Sequence, residues 1–320
     1  MKIAIVGLGV IGKVHLKALQ EQGLTPTAVC DSDKEKLKEY PQFSTYTDYS
    51  EMLEKEKPDV VHICTPHYLH AQMIILALEK NINALCEKPL CIKAEDIDKI
   101  LFAQNHSQAK LGVCLQNRYN NVNKFVKNFL QDKKVTDGIG LVAWHRDAIY
   151  YDSAVWRGKK QTEGGGLLIN QALHTLDLMQ WFAGMPEYVV GQTSNLTLKD
   201  KIEVEDTATA LFSGGAQFNF FATNGSVTDF PVDITLKTQN EVIKIFSDKV
   251  MINGKLQTFT DNNRIFGKYC YGTGHEKLIA DFYDCIKSGR KFEIDGYEGV
   301  KAVKLVLSVY KSNGNKISII

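Results

Sequence analysis

The run Gly7-Leu8-Gly9-Val10-Ile11-Gly12 constrains this chain more than any other feature. It follows an apolar stretch, Ile3 to Val6, that reads as a buried strand, and it leads into a helix-like segment, Lys13 to Gln22. Glycines there permit a tight turn, let the backbone approach a pyrophosphate and bring helix and strand together. The helix N-terminus adds partial positive charge. An acidic residue, Asp31, arrives about twenty residues later, just after a second strand, where a carboxylate accepts ribose hydroxyls and repels a 2′-phosphate. Gly7, Gly9, Val10, Ile11, Gly12 and Asp31 are therefore the expected dinucleotide contacts, with NAD favoured over NADP. Lys34 and Lys36 weaken that preference slightly and read as solvated lysines on a helix.

The same alternation continues to about Asn117. Strands are expected at Thr27 to Cys30, Val60 to Cys64, Ile82 to Cys86 and Lys110 to Leu115. Between them lie the helix-like stretches Lys34 to Glu39, Tyr49 to Glu54, His70 to Lys80 and Ala94 to Gln104. This is the rhythm of βαβ units and of a largely parallel, right-handed sheet. Past Asn117 the texture changes, which places a boundary near Asn120 and divides the chain into 1–120, a Rossmann domain, and 121–320, an α/β domain with an open, mainly antiparallel sheet. Val122 to Leu130 reads as a helix. Ser213-Gly214-Gly215 and Thr238-Gln239-Asn240 read as hairpin turns, the first between Ala208 to Phe212 and Ala216 to Phe221. Two helices close the chain, His275 to Ser288, which ends at Gly289, and Tyr297 to Lys311.

With 320 residues, 44% of them hydrophobic, there is enough apolar material for two cores. A net charge of +1, spread evenly, leaves no basic field for nucleic acid or anionic lipid, so small molecules are the expected partners. No apolar run approaches the roughly twenty residues that span a bilayer. The seven cysteines, at 30, 64, 86, 91, 114, 270 and 285, sit mostly in apolar runs, which fits a reducing cytoplasm.

Glu87-Lys88-Pro89 closes the fourth of these strands at the carboxyl edge of the sheet, where doubly wound folds hold ligands. Pro89 biases Lys88 away from the α region, so the ammonium rides on extended backbone and can face a nicotinamide. Glu87 reads as a residue that positions the strand end or the cofactor ribose. Thr65, Pro66 and His70 follow the preceding strand on the same edge and are expected cofactor contacts. His67 and His70 lack a third converging ligand, and no metal is expected. The second constellation is the stretch from Gly164 to Asp177, read as a glycine-rich entry into one helix running on through Trp181. On such a helix Asn170, His174 and Asp177 share a face, which makes His174 a candidate acid or base. Tyr151, Trp156 and Arg157, with Arg146, are the expected specificity residues, because aromatic faces stack on a pyranose and arginine reaches its hydroxyls.

Taken with Arg118-Tyr119-Asn120, Gly274-His275-Glu276 and Tyr310-Lys311-Ser312, these motifs resemble the glucose-fructose oxidoreductase, inositol dehydrogenase and rhizopine-catabolism family, Gfo/Idh/MocA, over essentially the whole chain. The resemblance implies NAD or NADP at the sheet edge and a sugar or cyclitol substrate held between the domains. It implies Lys88 and His174 as the catalytic pair, and homodimers or homotetramers built on the open sheet. It also implies hydride transfer at a secondary hydroxyl, with NAD-dependent glycoside hydrolysis or a non-catalytic sensor as alternatives. One position departs from the family pattern: Asn170 stands where an aspartate is common, and an amide takes up no proton.

Overall fold

The computed structural model describes residues 1–260 and 274–320. Two compact units make up the chain. The first contains residues Met1–Tyr119. Its strands are β1 (Ile3–Val6), β2 (Ala28–Cys30), β3 (Ser44–Tyr46), β4 (Val60–Ile63), β5 (Asn83–Cys86) and β6 (Leu111–Val113). They form one parallel sheet in the order β3-β2-β1-β4-β5-β6. That is the doubly wound order, and it reverses direction between β1 and β4. Strands β1, β4 and β5 are almost wholly buried because helices cover both faces, which is why they read as unbroken apolar runs. The helices are α1 (Val10–Glu21), α2 (Lys34–Leu37), α3 (Tyr49–Glu56), α4 (His70–Glu79) and α5 (Ala94–His106). Asp33 and Asp48 cap α2 and α3, each accepting a backbone N–H in the first turn. The sequence reading passed over β3, a short edge strand without a buried face to imprint a pattern.

The second unit begins with α6 (Asn121–Phe129), β7 (Asp137–Ala143), α7 (Ala148–Asp152), α8 (Leu167–Asn170) and α9 (Leu173–Ala183). Strands β8 (Pro186–Ser194), β9 (Thr207–Gly215), β10 (Phe218–Thr223), β11 (Asp233–Lys237), β12 (Val242–Ile245), β13 (Lys249–Ile252) and β14 (Lys255–Thr258) follow. After α10 (Gly274–Ser288) and α11 (Gly296–Ser312) the chain ends in β15 (Ile317–Ser318). Among the described residues the sheet runs β14-β13-β12-β11-β7-β10-β9-β8-β15. All its pairings are antiparallel except β7 with β10. One face of the sheet packs on α9. Gly140 of β7 makes this possible, since a Cβ there would lie 2.3 Å from the sulfur of Met179.

Three details differ from the sequence reading. The segment 121–320 is not one continuous unit, because α10 belongs with the first. Gly274 lies so close to Gln116 that a Cβ would stand 1.9 Å from its carbonyl oxygen, and Phe282 fills the space over Gly112. The hairpin between β9 and β10 is longer than its glycines suggested: Phe212 pairs with Phe218, while Gly215 pairs with Pro186 of β8. The expected single helix through Asn170 and His174 is broken into α8 and α9, with an i to i−5 bond from Ala172 N–H to the Leu167 carbonyl at the break. Asn170 and His174 therefore do not follow helical spacing, and Asp177 is buried at 1% exposure.

Candidate active site

The glycine loop has the shape a pyrophosphate requires. Gly7 adopts φ +90°, and a Cβ there would meet the Cys64 carbonyl at 2.5 Å. Gly12 lies against Gly7, whose carbonyl oxygen would be 2.0 Å from an added Cβ, so the helix seats directly on the strand. At Gly9 an added Cβ would meet nothing within 4 Å. Gly9 also precedes α1 without a side-chain cap, and Val10 beside it is exposed. The first amides of α1 thus open onto free space, the arrangement that accepts a phosphate anion. The residues present fit a dinucleotide.

Asp31 is buried at the end of β2 and already braces this loop. Its carboxylate accepts Leu8 N–H at 2.8 Å and Asp33 N–H at 2.9 Å, and the Lys36 ammonium lies 3.4 Å away. The Lys36 side chain, 41% exposed, is thus solvated as expected and also reaches Asp31. Thr65 and Pro66 are half-buried in the turn after β4. His70 begins α4 but is fully buried, with Pro89 O 2.7 Å from Nδ1 and Thr65 O 2.8 Å from Nε2. Burial favours the neutral ring, which donates to one of these two carbonyls at a time and packs between the Thr65 and Pro89 turns.

Lys88 is half-buried at the end of β5, and beneath it runs a chain of buried polar groups. The Tyr283 hydroxyl donates to His62 Nε2 at 2.8 Å, His62 Nδ1 donates to His15 Nδ1 at 2.8 Å, and His15 Nε2 donates to Glu87 Oε1 at 3.0 Å. That direction satisfies every ring nitrogen with neutral histidines. His275 Nε2 adds a second contact to Glu87 Oε1 at 3.3 Å, and Lys88 N–H donates to Oε2 at 3.2 Å. Burial acts to raise the Glu87 pKa, yet the hydrogen bonds from His15 and His275 hold it well below the usual range. Burial lowers His15 and His62. The ligand atoms of His15, Glu87 and His275 lie within 4.8 Å of one another, a spacing a metal ion also accepts. The proton chain accounts for the geometry on its own.

In the second unit the glycines after Glu163 are tightly enclosed. A Cβ on Gly165 would meet the Tyr310 hydroxyl at 2.0 Å, and one on Gly166 the Glu205 carbonyl at 2.1 Å. The buried Glu205 carboxylate accepts Gly166 N–H and Leu168 N–H at 2.9 Å each, and the Tyr310 hydroxyl at 2.8 Å. It replaces the side-chain cap that α8 lacks. Asn170 and His174 are half-buried, one closing α8 and the other opening α9. Asn170 Nδ2 donates to Glu163 Oε1 at 2.5 Å and lies 3.4 Å from the Tyr150 hydroxyl, which also accepts Gln171 Nε2 at 2.8 Å.

Tyr150 is half-buried between two arginines. Arg157 lies over its ring at 4.3 Å and Arg146 at 5.3 Å. Tyr151 is 4% exposed and packs with Ile202 and Val204, because neighbouring residues on α7 face different directions. Trp156 is half-buried, with Arg157 at 5.3 Å from its ring. Arg146 also pairs with Asp229 at 2.9 Å. The reading of the sequence missed Glu163, Gln171, Glu205 and Asn224, all buried polar residues. Only Glu163, placed directly before the glycine run, carried a local signal. Among the described residues Cys30, Cys64, Cys86, Cys91, Cys114 and Cys285 are free thiols raised in pKa by burial, so they pack as small hydrophobes. Cys270 lies outside the described residues.

Comparison with known proteins assigns both halves. Residues 1–115 match the family model "Oxidoreductase family, NAD-binding Rossmann fold", and residues 125–242 match the "GFO/IDH/MocA C-terminal domain". The putative oxidoreductase YteT of Bacillus subtilis is 28% identical over 51% of this chain, which spans only 38% of that protein. A myo-inositol 2-dehydrogenase of Thermotoga maritima is 23% identical over 100% of this chain and 98% of its own. Among solved structures, the WlbA dehydrogenase of Bordetella pertussis, crystallised with NADH and UDP-GlcNAcA, superposes with a TM-score of 0.90 at 26% identity, covering 100% of this chain and 98% of that one. No helix among the described residues is long and apolar enough to cross a membrane. With an NAD-binding Rossmann unit and the matching C-terminal domain on one chain, the protein belongs to the Gfo/Idh/MocA family of oxidoreductases.

Proposed function

We propose that this protein is an NAD-dependent dehydrogenase acting on a secondary hydroxyl of a sugar, sugar derivative or cyclitol. The observation that carries the reading is a half-buried lysine, Lys88, at the carboxyl edge of an NAD-binding Rossmann sheet, its backbone N–H held by a carboxylate kept ionised. Bound NAD supplies the acceptor for the hydrogen and electron pair that leave the carbinol carbon as it becomes a carbonyl. His174 takes the hydroxyl proton in that direction and returns it in the other, as an imidazole near its working pH does. Lys88 hydrogen-bonds the same oxygen and stabilises its alkoxide character. Tyr150, Trp156 and Arg157 offer the ring face and hydrogen-bond donors that a pyranose needs, and Arg146 with Arg157 suits a sugar carrying a carboxylate or phosphate. The ligand in the WlbA complex, UDP-GlcNAcA, makes nucleotide-linked uronic sugars the first class to try.

The open face of the second sheet supports an oligomer. Ile139, Leu211, Phe221 and Tyr188 share that face, at 54%, 56%, 38% and 36% exposure. A second copy covers it in this reading, and light scattering should give the mass of a dimer or tetramer.

The test is an NADH-linked absorbance screen over nucleotide sugars, aldoses, anhydro sugars and inositols. Lys88→Met should lose about a thousandfold or more in kcat while NADH binding persists. Release of an aglycone at constant NADH would point to hydrolysis instead, and a variant that turns over normally would remove Lys88 from the mechanism.

A further inference from the structure

We propose that Glu163 is a positioning residue that fixes Asn170 with its carbonyl oxygen turned toward the reacting hydroxyl of the substrate. The inference rests on the dehydrogenase reading above and adds to it a residue outside the expected pair. Glu163 is fully buried, ahead of the glycine run, and its two oxygens take different jobs. Oε2 accepts Gly158 N–H at 2.5 Å and holds the turn that follows Trp156 and Arg157. Oε1 faces Asn170 Nδ2 at 2.5 Å, and an ionised carboxylate oxygen at that distance can be met only by the amide nitrogen. The second amide hydrogen points to the Tyr150 hydroxyl, 3.4 Å away. With its nitrogen turned inward, Asn170 can meet a substrate hydroxyl only as an acceptor, through Oδ1.

The protonation of Glu163 decides whether this orientation holds. Burial raises its pKa to about 7, against the opposing pull of Gly158 N–H and the Asn170 amide. Arg157, Glu205, Tyr150, Tyr151 and Tyr310 are the other titratable groups that act on this region. When Glu163 is ionised, the Asn170 nitrogen faces it. When it is protonated it becomes a donor, and the amide can turn its oxygen inward and withdraw the acceptor from the substrate.

Exchanging the pair tests this directly. Glu163→Gln presents a donor to Asn170 and should lower kcat about thirtyfold with little change in KM. The double variant Glu163→Gln with Asn170→Asp reverses the polarity of the hydrogen bond and restores an acceptor at position 170, so it should recover to within about threefold of wild type. Asn170→Asp alone sets two carboxyls against each other and should lose activity as pH rises. A residue that merely clips the Gly158 turn would leave the double variant as poor as Glu163→Gln. A readout without turnover accompanies the kinetics: in protein labelled with ¹⁵N-asparagine, the Asn170 side-chain amide should titrate with a midpoint near 7. That titration uses the wild-type chain, so it stands even if a variant fails to fold. A flat titration, or no recovery in the double variant, overturns the assignment. A clear titration with no turnover on any substrate sinks the redox reading, and with it the substrate half of this proposal.

Discussion

Two buried glutamates in this protein have opposite fates. Glu87, in the Rossmann unit, is 4% exposed and held ionised, whereas Glu163, in the second unit, is 0% exposed and pushed up to about 7. Burial alone raises both. The difference lies in the donors. Glu87 receives two imidazole N–H groups and a backbone amide, while Glu163 receives one backbone amide and one side-chain amide. The lesson is that desolvation sets the cost of a buried carboxylate, and the number and kind of its donors decide whether the charge survives. Glu87 thus offers a fixed negative charge beside Lys88, and Glu163 offers a group that changes charge in the working range.

The sharpest way to break that contrast is Glu87→Gln. An amide has one acceptor oxygen for three donors, so we expect a loss of roughly 3–5 kcal/mol in stability at pH 7. Chemical denaturation would measure it, and a change under 1 kcal/mol would show that the histidine chain does not depend on the charge. The pH dependence separates the two residues further. Glu87, depressed in the fold, contributes stability above the unfolded carboxylate pKa and loses it as pH falls through its lower folded value. Glu163, raised in the fold, contributes fully below the unfolded pKa and loses that contribution as pH rises through about 7. Between pH 5 and pH 8 its ionisation should therefore withdraw on the order of 3 kcal/mol, and Glu163→Gln should flatten that slope. An unchanged slope in the variant would assign the effect to other groups.

The smallest expected effect concerns Asp31, a third buried carboxylate, which two backbone amides and Lys36 hold in place. Asp31→Asn keeps an acceptor for the loop and frees the Lys36 cation, so the ratio of NADP to NAD affinity should rise about tenfold, worth about 1.4 kcal/mol. Fluorescence titration with both reduced cofactors would read it. A ratio that stays at the wild-type value would remove Asp31 and Lys36 from cofactor choice.

Much of the first unit was legible in the sequence. Its buried parallel strands are short apolar runs, its glycines are needed by backbone geometry that no larger residue fits, and Lys88 is marked by the proline after it. The turn residues Ser213-Gly214-Gly215 and Thr238-Gln239-Asn240 likewise announced antiparallel neighbours. These features depend on neighbours in the chain, so spacing alone determined them. The tertiary structure decided the rest. Only the fold brings His15, His62, His275 and Tyr283 into one chain with Glu87, since those residues are distant in sequence and no local period links them. The break between α8 and α9, the burial of Tyr151 in place of Tyr150, and the approach of Glu163 to Asn170 were equally invisible. A buried polar residue is defined by what surrounds it, and its charge is a property of those surroundings.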